Sequence, residues 1–471
     1  MTFSGLLLVT LYLIGVYTNF SIYSGGQLVF PAILCAFSGA WLLLKNLSRI
    51  TQDHVRVIGA MIFVALLSIV FSPGLSRYLI ELVKSYLQFT LALIWSYSLY
   101  LELTRWTRGQ LQNYFLAACV LLLTGCVLEL TTPLREVSDS FRNVAYKGAF
   151  IYDFSERDVQ LFGGIRPNLF SQEPSHIAKF FLVASTFYLA FSSSRFRYLI
   201  YLILNATAFV LVRSTTQFAF IFVGMSVVIF LNPVDSKSTA KMILRVFSIT
   251  VVVTLLTIIA ALSSRERVDM ITQGKDASTF QRLNGPVIIV LETFQKHPLF
   301  GAGIGGYEVI EKIIIDVFLT YSEKSLIPEN VSRIIANAFC NFLIFFGIFG
   351  SILFMITLVN LGKKLGGGHV LFFLSNWLIQ MNIDGSFVGA RVWSYCFMFL
   401  VMGYVYTTSN PQSSSQARYS ASSAGESSRK SLARGLRVGN LQLLLSRMVT
   451  VQSEYGTHFA GFSWQSLANQ R

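Results

Sequence analysis

The sequence predicts an all-α, polytopic membrane helix bundle of about twelve transmembrane helices with two large extracytoplasmic loops. Three observations predict it. The chain of 471 residues is 54% hydrophobic and only 13% charged, with a mean hydropathy of +0.59, far too little charge for a soluble chain of that length. Its apolar runs have the length that a hydrocarbon core demands, roughly 20 residues each. Its basic residues fall mainly on alternate connections.

The spans, in order, are expected at about 4–22, 26–44, 57–73, 78–100, 110–130, 176–193, 197–212, 215–232, 243–262, 337–361, 368–383 and 390–408. With the N-terminus inside, the short inner connections carry Lys45, Arg49, Arg56, Arg105, Arg108, Arg195, Arg197, Lys237, Lys241, Lys363 and Lys364. The short outer ones carry only Arg77, Arg213 and Arg391. That asymmetry places both termini in the cytoplasm and the long loops, about 131–175 and 263–336, outside. The bundle is therefore assigned to 1–408, and 409–471 to a mostly disordered, basic cytoplasmic tail rich in Ser, Ala and Arg. Within it, LARGLRVGNLQLLLSRMV reads as a basic amphipathic helix for the anionic inner leaflet. No cleavable signal peptide is expected, because the first apolar run lacks a basic flank and a small-residue cleavage site.

The net charge of +14 sits in short loops and in the tail, which argues for membrane orientation and against nucleic acid. Five cysteines, at 35, 119, 126, 340 and 396, lie in or beside apolar runs and read as small core residues. Five scattered histidines give no metal-ligand spacing, so no metal and no cofactor is expected. Gly301-Ala302-Gly303-Ile304-Gly305-Gly306 satisfies G-x-G-x-x-G, but without the strand, helix and distant acid of a dinucleotide fold it reads as a tight turn returning to the bilayer.

Charge in the outer loops concentrates at helix mouths, where partial desolvation strengthens electrostatics. The first loop ends in RPNLFSQEPSHIAK, residues 166–179. An Arg fork can hold phosphate through two parallel hydrogen bonds and Lys adds a point charge; a neighbouring carboxylate can serve as base to a sugar hydroxyl. An anionic, lipid-linked substrate fits this chemistry, whether for a transferase or a transporter. Against a transporter, no internal repeat is evident and polar groups do not gather at mid-membrane.

Four segments resemble the O-antigen and exopolysaccharide repeat-unit polymerases of the lipid-carrier-dependent pathway, within the O-antigen polymerase and ligase superfamily. GGIRPNLFSQEPSHIAKFF resembles their "R…EPS…A" helix opening, and RLNGPVIIVLETFQKHPLFGAGIGGYE their second-loop element of Arg, amphipathic helix and Gly-rich turn. RSTTQFAFIFVG resembles the start of a middle helix, with Thr-Gln where Arg-Gly is commoner, and NAFCNFLIFFGIFG the helix that returns after the second loop. Some such polymerases carry R-x10-G in both loops, and neither loop here does. The superfamily's ligases place His-Asn where this chain has Ala336-Asn337, which favours polymerase over ligase.

The resemblance implies a C-type glycosyltransferase-like bundle that polymerises undecaprenyl-diphosphate-linked oligosaccharide units into O-antigen, capsular or exopolysaccharide without metal, at the outer face of the bacterial inner membrane. A ligase or related lipid-carrier glycan transferase, or a flippase for the same intermediates, is the alternative. The implied partners are the lipid-linked glycan, the bilayer and a chain-length regulator protein. For metal-free displacement of a lipid diphosphate, Arg282 and Arg166 are the expected charge-neutralising residues, with Lys179, Arg213 and Arg391 adding to diphosphate binding. Glu173 is the expected base and His176 its alternate. Pro174 is expected to open the helix, with Ser175 satisfying its first free amides.

Overall fold

A computed structural model describes residues 2–24, 27–147, 151, 158–159, 164–231, 280–321 and 335–408. The expected span 243–262, the charged stretches 152–157 and 265–276, Lys237 and Lys241, and the tail lie outside the described residues.

Helices dominate. The first, α1 (Phe3–Thr18), is capped by the Thr2 hydroxyl, which accepts from the Gly5 amide. A short antiparallel hairpin, β1 (Ile22–Ser24) and β2 (Gln27–Phe30), follows, so α2 (Ile33–Lys45) starts later than the expected span at 26. Then come α3 (Gln52–Val70), α4 (Leu79–Leu103) and α5 (Arg108–Thr131). A reciprocal capping box starts α5, with Thr107 and Gln110 each satisfying the other's backbone amide. The first large loop contributes a short helix, α6 (Leu134–Ala145).

After it, α7 (Pro174–Phe191) opens on Pro174, as expected of a residue that has no amide to leave unsatisfied. All its residues are buried, so it is the central post of the bundle. The chain continues through α8 (Arg197–Val212) and α9 (Ala219–Ser226). The second large loop supplies α10 (Gly285–Lys296) and α11 (Glu311–Tyr321). The bundle closes with α12 (Ala338–Leu365), α13 (Val370–Ile383) and α14 (Ala390–Thr408). Three of these helices, α3, α5 and α12, are long and apolar enough to cross a membrane. Their neighbours turn Phe37, Trp41, Leu199, Phe222 and Leu371 outward, a surface suited to lipid rather than water.

At the end of the bundle away from the loops, buried Glu102 accepts from Lys45 Nζ at 3.2 Å and from Asn46 Nδ2 at 3.0 Å, with Arg105 at 3.6 Å. This staples α1, α2 and α4. Nearer the loops, α12 is broken at Gly347, whose φ of 61° and ψ of −166° are not helical. The break frees amides and carbonyls that the apolar interior cannot solvate. The glycine-rich turn of the second loop satisfies them. Pro298 O accepts from the Ile348 amide, and Leu299 O from the amides of Phe349 and Gly350. In return, the Ala302 and Gly303 amides donate to Ile344 O and Phe345 O at 2.9 and 3.1 Å. Gly301, Gly303 and Gly305 all have positive φ, so the tight turn read from G-x-G-x-x-G is present.

Candidate active site

The segment leading into α7 is shaped by side chains from four directions. Leu169 and Phe170 adopt left-handed conformations, costly for side-chain-bearing residues. The turn they make aims the Asn168 and Leu169 amides at the buried Glu129 carboxylate, at 3.3 and 2.5 Å. Ser138 of α6 accepts from the Phe170 amide at 2.9 Å. The Tyr17 and Tyr146 hydroxyls donate to Leu169 O and Phe170 O, at 2.7 and 2.9 Å. This loop is strained but held, as expected where a site must be preorganised.

Just beyond it, charged groups from three distant stretches converge. Glu173 precedes α7, and His176 Nε2 on the first turn lies 3.5 Å from its Oε1. Asp384, at the end of α13, receives Arg391 Nε and Nη2 at 3.2 Å each, and Lys179 Nζ stands 3.7 Å away. These side chains are scarcely exposed: 2% for Asp384, 5% for Lys179 and 12% for Arg391. The Gly385 amide also donates to Asp384 Oδ1 at 2.8 Å. Arg282 sits half-buried just before α10, and its carbonyl accepts from Asn337 Nδ2 at 3.0 Å. Among the described residues its guanidinium makes no ion pair.

Burial by itself would raise both carboxyls, but the cations outweigh it. Lys179, Arg282 and Arg391, with the Ser175 hydroxyl, hold Glu173 below the usual range. Arg391 and Lys179 hold Asp384 well below it. A folded-state pKa depressed in this way stabilises the fold above the unfolded carboxylate's pKa, and that stabilisation is lost as pH falls. These two carboxyls are therefore expected to add a decline in melting temperature in detergent as pH falls below about 4. A curve that stays level down to about pH 3 would contradict this role for the pair.

The structure thus brings together Glu173, His176, Lys179, Arg282 and Arg391. It sets the other two expected residues on the flank. Arg166 pairs with Asp158, Nη2 to Oδ1 at 2.9 Å, and its carbonyl accepts from Arg135 Nη1 at 3.1 Å. Arg213 ends α8 in a left-handed conformation, with its guanidinium against Gly164. Ser175 is also corrected: its hydroxyl donates to the Glu173 carboxylate instead of capping amides.

Asp384 and Glu129 were missed in the sequence. Each is a single acid at the end of an apolar run; the readable signal was that a buried acid needs a partner, and Asp384 has Arg391 only seven residues on. Among the described residues no group of three His, Cys, Asp or Glu side chains could hold a metal ion.

What the cluster offers is a carboxylate beside several cations, one of them without an ion pair among the described residues, at the mouth of an apolar bundle. That is the chemistry of a sugar hydroxyl attacking next to an anionic leaving group. No curated protein matches the chain. Residues 4–404 match the family model described as WcaD colanic acid polymerase, and the chain therefore belongs to that family of membrane enzymes, which polymerise repeat units into exopolysaccharide.

Proposed function

We propose that the enzyme joins repeat units carried on undecaprenyl diphosphate at the outer face of the bacterial inner membrane, with both termini in the cytoplasm and without a metal ion. The observation that carries this reading is the meeting of Glu173 with Arg282, Lys179 and Arg391. The acceptor hydroxyl loses its proton to Glu173 as its oxygen bonds to the donor's anomeric carbon. The bond from that carbon to the lipid diphosphate breaks, and the electron pair leaves with the diphosphate. Glu173 is ionised through the neutral range and stands beside the cations that would receive the leaving diphosphate, so it is placed to take the proton.

Charge on the leaving group falls first to Arg282, which among the described residues is not committed to an ion pair and whose charge already acts on Glu173. Arg391 commits Nε and Nη2 to Asp384, while its Nη1 is buried without a partner. It therefore keeps one donor for a phosphate oxygen. Lys179 adds charge from behind, and Arg166 and Arg213 frame the entrance. A chain-length regulator protein is the partner proposed at the outer loops.

The test is polymerisation of lipid-diphosphate-linked units by protein purified in detergent. Arg282→Ala is expected to lower the rate about 10²-fold, and Arg282→Lys to recover part of it, since the charge returns without the fork. Glu173→Gln should fall by about 10² or more. Wild-type rates in both Arg282→Ala and Glu173→Gln would remove the assignment. A chelator is expected to leave the wild-type rate unchanged; loss restored by added magnesium would overturn metal independence.

A further inference from the structure

Helix α6 is amphipathic in an inverted sense. Its buried residues are Ser138 and Arg142, and they serve the loop that leads into α7. Ser138 accepts from the Phe170 amide, and Arg142 reaches Asp139 at 2.6 Å and Gln172 O at 3.3 Å. Its exposed residues at 3.6 per turn fall into two adjoining stripes. One is apolar, with Val137 58%, Phe141 44% and Val144 79% exposed. The other is polar: Glu136, Ser140 and Asn143, extended by Lys147 just past the helix, are all exposed.

Three faces therefore meet three surroundings. The inner face meets protein, the polar stripe suits water, and the apolar stripe has no cover among the described residues. The apolar stripe continues a lipid-type surface, because α5, which ends three residues before α6 begins, exposes Val127, Leu128 and Leu130 in its last turn. A helix divided in this way has the pattern of one lying in a membrane interface.

We infer that α6 lies along the outer surface of the bilayer with Val137, Phe141 and Val144 in the acyl-chain boundary, and that it fixes the Glu173 loop at headgroup depth. The inference rests on the proposed outer-face site. Its functional meaning is vertical registration. A lipid-linked diphosphate sits at the headgroup level, and α6 is bolted to the segment that ends in Glu173 through the Ser138 and Arg142 hydrogen bonds. The occupant of the apolar stripe is bilayer lipid.

The five cysteines are all buried, so a new surface cysteine can be labelled selectively in the full-length protein. Nitroxide labels at Val144→Cys and Val137→Cys, in vesicles of phosphatidylethanolamine and phosphatidylglycerol, are expected to collide with oxygen several-fold more readily than with a water-soluble nickel chelate. A label at Ser140→Cys or Asn143→Cys should show the reverse preference. Equal nickel access at all four positions, or protection of Val144→Cys from both reagents as in a protein interface, would overturn the inference. In the same vesicles Val137→Ser with Val144→Ser is expected to raise KM for the lipid-linked unit about tenfold, with kcat little changed. Unchanged KM would remove the registration role even if the labels report lipid. Neither result depends on which residue is the base, so failure here is separable from failure of the Glu173 and Arg282 assignment.

Discussion

Asp384→Ala is expected to abolish long polymer and to cost about 3–5 kcal/mol of stability, the cost of leaving buried charges without their partner. The carboxylate answers two cations at once, Arg391 through two hydrogen bonds and Lys179 at 3.7 Å. Without it, two buried positive charges face each other and Glu173. Lys179 can lose its proton, but an arginine effectively cannot, so Arg391 must reorient towards water or towards Glu173. Either movement dismantles the arrangement around the reacting atoms. Asp384→Asn is the informative companion, because it keeps the shape and one acceptor while removing the charge, and it should lose less stability than alanine. Gel ladders at matched protein level, with melting in detergent, read both effects. A full ladder and a wild-type melting temperature in Asp384→Ala would show that the pair is dispensable.

Gly347→Ala and Gly301→Ala form the second large prediction. Both glycines have φ above 60°, where a β-carbon is strained. A Cβ at Gly347 would stand 2.5 Å from the Gly301 amide nitrogen and 2.8 Å from the Leu299 carbonyl carbon, while one at Gly301 would overlap the Ile344 carbonyl oxygen. Backbone cannot yield as a side-chain tip can. Left-handed strain and overpacking together are expected to cost about 2–6 kcal/mol, seen as low protein in the membrane and early melting. Gly59→Ala is the control: it is a helical position with no atom within 4 Å of the added carbon, where alanine should gain about 0.5–1 kcal/mol. Equal melting temperatures for Gly347→Ala and Gly59→Ala would contradict this account.

Apolar periodicity and breakers made the bundle legible. The expected openings near 110, 337, 368 and 390 agree closely with α5, α12, α13 and α14, and Pro174 starts its helix. The hairpin at 22–30 was not legible, because its strands of three and four residues are too short to stand out between two long apolar runs. In the candidate site, five of the seven side chains expected from the sequence meet at one helix mouth. Ion-pair choice was not legible. Arg166 meets Asp158 eight residues earlier, and Asp384 finds Lys179 across half of the bundle's sequence. Long-range pairing is written in packing, which one sequence does not display.

The splice at Gly347 also bears on the order of assembly. Pro298 to Gly303 precedes α12 in the chain, so the piece that completes the broken helix is synthesised before the helix that needs it. On the proposed outer placement of this loop, it must already have crossed to the far side when α12 enters the membrane. Translocation of the second loop is then a precondition for inserting α12 without bare amides, and mistimed export would leave an unpatched helix for quality control to find. Short insertions between Pro298 and Gly303 should accordingly be among the least tolerated in the protein, since they would detach the patch from the gap it fills.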